Sequence, residues 1–160
     1  MLSFSSPSSQ KQAMMLSATD KDELEQHRNW ICDHFRPGEE FRYDNPQQVL
    51  ELLQVILDQK WVSIEDNVKL NCMGVSFGDA LAMTLDLTWI VVNDEYGRDY
   101  ALQDKNTGLL AFPVTMIMKR VQKSESFTVA ELFHSIEESF LEKRRSSIPK
   151  AIIKNRQTEL

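Results

Sequence analysis

The residues whose types and spacing could do chemistry lie in two short segments of the chain. Asp94, Tyr96 and Arg98 surround one turn, and Lys119 and Arg120 form a basic pair further along. A carboxylate beside a guanidinium can bind a charged ligand or move a proton, a phenol ring can stack, and a basic pair can hold an anion. These five residues are the candidate binding site, provided that they converge in space.

Turn chemistry offers a second explanation for the same residues. An aspartate in a turn commonly accepts hydrogen bonds from its own backbone N–H groups, and Arg98 can pair with a neighbouring carboxylate. A lone basic pair is more often a surface ion pair, worth at most about 1 kcal/mol. Both explanations stay open at this level. They differ in one testable respect, because a shared site fails if Arg98 and Lys119 lie on opposite faces of the sheet.

Other signatures of catalysis are missing from the sequence. It contains no Gly-x-Ser-x-Gly elbow and no glycine-rich nucleotide loop. His27 and His34 are two helical turns apart, about 10 Å along the axis, which is too far for one metal ion. We therefore predict no metal and no cofactor, and we favour a non-catalytic protein over an enzyme.

Charge is divided unevenly along the 160 residues. Residues 1–142 carry 12 basic and 23 acidic side chains, whereas residues 143–160 carry six basic and one acidic. An acidic body repels phosphate backbones, so nucleic acid is not its expected partner, and only the basic tail could touch one. The body suits a protein partner, in particular a basic one, or a second copy of the chain.

The sequence also predicts a cytoplasmic location. No apolar run reaches the roughly 18 residues that a membrane span needs, and the first residues lack the basic start and apolar stretch of a secretory signal. Cys32 and Cys72 are predicted to be buried free thiols, which suits a reducing compartment. Met14 and Met15 are alternative start residues to Met1.

Hydrophobic periodicity predicts an α+β fold in which a three-stranded antiparallel meander (about 88–112) packs against four or five helices. We predict a flexible leader at 1–18, one domain at 19–145 and a basic tail at 146–160. The predicted helices span about 20–35, 46–59, 64–85, 114–121 and 128–145, and the strands about 88–92, 99–103 and 109–112. The start of the last helix is marked by the capping box Thr128-Val-Ala-Glu131.

Two glycines and a tryptophan predict how helix and sheet meet. Gly74 and Gly78 are four residues apart and share one helix face, where they would let another segment approach closely. Each costs about 1 kcal/mol of helix propensity against alanine, so close packing must offset that loss. Trp89 alternates with Val91 in a strand and should face the helices.

The segment from Met73 to Arg120 resembles a mostly bacterial family of small domains of unknown function. The residues that carry the resemblance are Gly74-Val-Ser-Phe-Gly-Asp-Ala-Leu81, Trp89-Ile-Val-Val-Asn-Asp-Glu-Tyr-Gly-Arg98, Ala101-Leu102 and Phe112-Pro-Val-Thr-Met-Ile-Met-Lys-Arg120. The resemblance covers about a third of the chain and implies a shared fold. It implies no activity.

Three functional hypotheses follow from these observations. The first is a non-catalytic protein-binding domain, regulatory or immunity-like, that uses the sheet face and the Asp94–Asp99 turn. The second is a small-ligand or anion-binding protein, or an enzyme, with a site near that turn and Lys119-Arg120. The third is a subunit of a larger assembly that docks through the apolar tail segment 148–153.

Overall fold

The structure, a computed structural model, describes residues 11–148 of the chain. These residues form an α+β fold with five α-helices and a four-stranded antiparallel sheet in the order β1-β2-β3-β4. The helices are α1 (Ala18–Cys32), α2 (Pro46–Asp58), α3 (Asn67–Leu85), α4 (Met116–Gln122) and α5 (Val129–Ser146). The strands are β1 (Gln12–Met15), β2 (Thr88–Asp94), β3 (Gly97–Gln103) and β4 (Leu110–Ala111). Two short 3-10 helices, Glu40–Asp44 and Pro113–Thr115, precede α2 and α4.

The predicted strand count of three was wrong, because β1 adds a fourth strand. It pairs antiparallel with β2 from Gln12↔Asn93 to Met15↔Ile90. All four β1 residues are exposed, so backbone hydrogen bonds hold the strand at the sheet edge and its sequence carries no apolar alternation. Residues 12–18 therefore belong to the fold and not to a leader. Residues 1–10 and 149–160, most of the predicted leader and tail, lie outside the described residues.

Helix α3 is the centre of the fold, since every residue from Cys72 to Leu81 is buried. The predicted close approach at its two glycines is confirmed. A Cβ placed on Gly74 would overlap the Val114 carbonyl, and one on Gly78 would lie 2.5 Å from the Trp89 ring. The 3-10 helix Pro113–Thr115 and the indole of Trp89 therefore sit directly against the backbone of α3.

Helix boundaries follow the side chains that cap them. α1 begins at Ala18, two residues before the predicted start, because Ser17 is its N-cap and forms a capping box with Asp20. The predicted starts of α2 at Asn45-Pro46 and of α5 at the Thr128 capping box are confirmed. α3 begins at Asn67, three residues after the predicted start, because the Asp66 side chain accepts the Lys69 N–H.

The last helix is tied to the sheet by a buried ion pair. Asp104 is 1% exposed and accepts the Arg144 Nε–H at 2.8 Å, while Arg144 Nη2 donates to the Leu85 carbonyl. Asp104 also accepts the Asn106 N–H and the Thr107 hydroxyl in the β3–β4 turn. One carboxylate thus fixes both the turn and the end of α5.

We expect Asp104→Asn to destabilise the fold in a pH-dependent way. The Arg144 hydrogen bond holds the pKa of Asp104 below its usual value, so this carboxylate adds stability above the unfolded-state pKa, near 4. That stability is lost as pH falls through the folded-state pKa. Urea unfolding should show a deficit of about 2 kcal/mol at neutral pH that shrinks below about pH 4. The exposed Asp33→Asn is the control, and a pH-independent deficit would contradict the assignment.

Candidate functional site

The predicted site begins at the β2–β3 hairpin, where Asp94 pairs with Gly97 across a two-residue loop. Gly97 has a φ of +123°, a conformation that favours glycine. Asp94 Oδ1 accepts the Tyr96 N–H at 2.9 Å. Turn chemistry therefore accounts for Asp94 and Gly97. It does not account for the side chain of Tyr96, which is 89% exposed.

Arg98 is committed to a partner on the first helix. Its Nη2 donates to Asp20 Oδ1 at 2.5 Å, and its guanidinium lies 5.8 Å from the Tyr100 ring centre. The Arg98 hydrogen bond, together with the capping Ser17 N–H, holds the pKa of Asp20 well below its usual range. Tyr100 donates to Glu23 Oε2 at 2.8 Å, and burial, followed by Glu23, raises the pKa of Tyr100 to about 12. Arg98 and Tyr100 thus fasten β3 to α1.

The basic pair on α4 has two different environments. Arg120 Nη1 donates to the Met116 carbonyl at 3.2 Å, and its Nε lies 4.0 Å from Glu125. Lys119 is exposed, and none of the ion pairs formed among residues 11–148 includes it. Lys119 is therefore the more available of the two cations for a ligand.

The five predicted site residues are divided among three neighbouring cavities. Asp94, Tyr96 and Lys119 line one of about 420 Å³. Lys119 and Arg120 line a second of about 400 Å³, and Arg98 lines a third of about 220 Å³ against α1 and α3. Asp94, Tyr96 and Lys119 are therefore brought together, while Arg98 is turned toward Asp20 and lies apart from the basic pair.

A buried polar cluster around Asp79 was missed by sequence reasoning. Asp79 Oδ2 accepts Arg28 Nε at 2.6 Å and the Tyr43 hydroxyl at 2.5 Å, and Oδ1 accepts Arg28 Nη2 at 3.1 Å and Trp89 Nε1 at 2.9 Å. Tyr43 also contacts Ser76 Oγ at 2.9 Å. The signal in the sequence was a carboxylate in the most apolar helix, directly after Gly78.

The Asp79 cluster is built to hold elements together. Its partners come from α1, the 3-10 helix Glu40–Asp44 and β2, and they occupy both carboxylate oxygens. Burial, followed by Asp79, raises the pKa of Tyr43 well above its usual range. Burial, the largest single influence, opposes the charge on Arg28. The hydrogen bonds and charges of Asp79 and Glu25 together outweigh it and raise the pKa of Arg28. Both oxygens of Asp79 already accept two hydrogen bonds each, which links three elements to α3.

Helix α3, strands β2 to β4 and helix α4 lie within a region shared with other proteins. A family model described as a domain of unknown function, DUF3806, matches residues 50–133, more than half of the chain. The chain belongs to the DUF3806 family. The match confirms the resemblance to a family of domains of unknown function. It contains Asp79 and all five predicted site residues.

The DUF3806 fold is also present in a solved structure. A crystal structure of a protein from Bacteroides thetaiotaomicron VPI-5482 aligns with a TM-score of 0.67 at 13% identity, over 81% of this chain and 48% of that one. The chain thus spans about half the length of that protein, and a likeness at this identity concerns the fold alone. No curated protein matches the chain.

Both cysteines of this DUF3806 chain are free thiols. Cys72 is buried as predicted, whereas Cys32 is only half-buried, and burial raises the Cys32 pKa to about 11. His27 Nδ1 hydrogen-bonds with the Glu23 carbonyl, and His34 Nδ1 hydrogen-bonds with the Trp30 carbonyl. Each carbonyl lies one helical turn earlier in the chain. Among residues 11–148, no three His, Cys, Asp or Glu side chains are grouped to hold a metal ion. No helix in that range is long and apolar enough to cross a membrane.

Proposed function

We propose that this DUF3806 chain is a non-catalytic, cytoplasmic protein-binding domain, regulatory or immunity-like, that presents the Asp94–Asp99 hairpin to a basic partner. The observation that carries the proposal is Tyr96, a large ring that is 89% exposed at the tip of an ordered hairpin. Tyrosine is one of the residues that most often dominate the energy of protein interfaces.

The backbone around Tyr96 is held in place before any partner arrives. Asp94 accepts the Tyr96 N–H, and the strands on both sides are paired along seven residues. A preorganised hairpin loses less conformational entropy on binding than a loose loop does, so more of the contact energy appears as affinity.

Charge near Tyr96 favours a basic partner. Glu95 and Asp99 are exposed and Asp94 is half-buried, and Asp94 and Asp99 line the same cavity as Tyr96. The excess of acidic side chains in residues 1–142 adds to this local negative charge. A negative potential would accelerate the encounter with a positively charged partner surface. Lys11 and Lys119, which line the cavity beside Tyr96, would contact acidic groups at the rim of such a partner.

Tyr96→Ser is expected to abolish partner capture without changing stability. Immobilised full-length protein is incubated with lysate of its own host, and bound proteins are identified by mass spectrometry. The matched control is Phe41→Ser, which removes another exposed ring, 69% exposed, on the 3-10 helix before α2. A protein retained by wild type and Phe41→Ser, lost with Tyr96→Ser and weakened by salt would support the proposal.

Two results would count against the protein-binding proposal. One is the absence of any retained protein in repeated captures at low salt. The other is a retained protein that binds Tyr96→Ser as well as wild type, which would place the interface elsewhere. If the retained protein is the chain itself, the partner is a second copy, and its mass in solution should fall to that of a monomer in Tyr96→Ser.

The alternative function, a small-ligand or anion-binding protein or enzyme, is favoured by one feature of the basic pair. Lys119 and Arg120 line the 400 Å³ cavity with apolar side chains and two hydroxyls, and none of the acidic residues between 11 and 148 lines it. Glu125 lies 4.0 Å from Arg120 Nε, but Lys119 forms no ion pair within the same residues, so the lining keeps a net positive charge that attracts anions. An organic anion that co-purifies with the chain, in the absence of any captured protein, would favour this alternative.

A further inference from the structure

The cavity at Lys119 and Arg120 has two chemically different parts. It lies between β4, the segment that follows it, α4 and α5. Its apolar wall is formed by Leu109, Leu110, Ala111, Phe112, Met116, Ile136 and Phe140. The polar part consists of the two cations together with the hydroxyl-bearing Thr115 and Ser139. The apolar wall and the two cations, which form the charged edge of the cavity, therefore meet within a single opening.

The apolar wall is partly exposed to solvent, which distinguishes it from the core. Leu110, Phe112, Met116 and Ile136 are all half-buried, and only Ala111 and Phe140 of the wall are buried. Covering half-buried apolar side chains with an apolar ligand is favourable by roughly 25 cal/mol for each Å² removed from water. The cavity volume of about 400 Å³ falls within the range of small-molecule sites.

The charged edge selects the sign of the ligand. Arg120 donates Nη1 to the Met116 carbonyl and has its Nε 4.0 Å from Glu125, which leaves Nη2 for a ligand. Lys119 has no carboxylate within ion-pair distance among residues 11–148. The chain's own basic tail, 143–160, carries the same sign as this edge and is electrostatically unfavourable there.

We propose that this cavity binds a small amphipathic anion, a carboxylate on an apolar body of on the order of ten non-hydrogen atoms, given a water's share of about 30 Å³. The carboxylate lies between Lys119 and Arg120 and accepts hydrogen bonds from both. The apolar body lies along Phe112, Met116 and Ile136. The proposal rests on the anion-binding alternative. It shares Lys119 with the cavity beside Tyr96 but does not use Tyr96 itself.

The test is an NMR titration of the full-length chain with three probes: octanoate, octan-1-ol and inorganic phosphate. Octanoate should give saturable shifts of the amides of Leu110, Lys119 and Ser139, and each of the other probes should bind at least about tenfold more weakly. Lys119→Gln and Arg120→Gln should each weaken octanoate about tenfold, the loss of one charge-assisted hydrogen bond. Lys123→Gln, a basic residue one turn further along that does not line the cavity, is the matched control.

The outcomes separate the proposal of an amphipathic ligand from the more general anion-binding alternative. If phosphate binds as well as octanoate, an anion site remains but the amphipathic ligand is wrong. If octan-1-ol binds equally, the cavity is an apolar groove and the basic pair has no part in it. If no probe gives saturable shifts, or if Lys123→Gln weakens octanoate as much as Lys119→Gln, both the ligand class and the anion-binding alternative are overturned. The Tyr96 capture experiment is unaffected by any of these results.

Discussion

Asp79→Leu should destabilise the fold by about 3–5 kcal/mol, the usual cost of removing one partner from a buried ion pair. The change leaves Arg28, the Tyr43 hydroxyl and the Trp89 N–H without their shared acceptor. Asp79 itself is 8% exposed, so water cannot readily replace it. Chemical denaturation monitored by tryptophan fluorescence and circular dichroism measures the loss.

A double-mutant cycle decides whether the cluster acts through its charges. Arg28→Met with Asp79→Leu removes both ionic partners, so the double variant should be more stable than the sum of the two single losses predicts. Asp79→Asn keeps the size of the side chain and provides a milder change if Asp79→Leu does not fold. The exposed Asp22→Leu in α1 is the control. A loss below about 1 kcal/mol for Asp79→Leu would show that the cluster is dispensable.

Gly74→Ala should destabilise the protein by about 3 kcal/mol, the upper part of the usual range for overpacking. In an ordinary helix the same change adds about 1 kcal/mol of stability, because alanine has the higher helix propensity. Here the new Cβ would overlap the carbonyl of Val114, a backbone group that cannot rotate away. The test is therefore whether Gly74→Ala lowers or raises the free energy of unfolding, which is measured in urea.

Gly78→Ala provides a graded comparison with Gly74→Ala. Its Cβ would lie 2.5 Å from the Trp89 ring and 2.7 Å from Pro113 Cγ, which are side-chain atoms and can move further than a backbone carbonyl. We therefore expect a loss smaller than that for Gly74→Ala. A stabilising effect at Gly74 would mean that the 3-10 helix Pro113–Thr115 can move away from α3 at little cost.

Features that depend on neighbouring residues were accessible from the sequence. The capping box at Thr128, the helix start at Asn45-Pro46 and the turn at Gly97 each involve groups within four positions of one another. The packing role of Gly74 and Gly78 was also predictable. Glycine destabilises a helix relative to alanine, so two glycines on one helix face indicate that another segment approaches closely. What approaches them was not predictable, since Val114 is 40 residues from Gly74 along the chain.

Features that depend on distant residues could not be read from the sequence. Sequence reasoning left two roles open for Arg98, a shared binding site or a pair with a neighbouring carboxylate, but Arg98 pairs with Asp20, 78 positions away. Asp79 was noted only as part of a motif, although its main partner Arg28 is 51 positions away. In each case several carboxylates and arginines had suitable chemistry, and only the folded chain selects which ones meet.

The sequence alone determined the α+β class, the identity of most elements and the acidic balance of the body, because these follow from local periodicity, capping and composition. Tertiary structure decided which candidate residues share a surface. It paired Arg98 with Asp20 of α1, brought Asp94, Tyr96 and Lys119 to one cavity, and placed Lys119 and Arg120 beside an apolar wall from β4 and α5. The physical reason is that strand pairing and the packing of α4 set those distances, and both depend on contacts far apart in the chain.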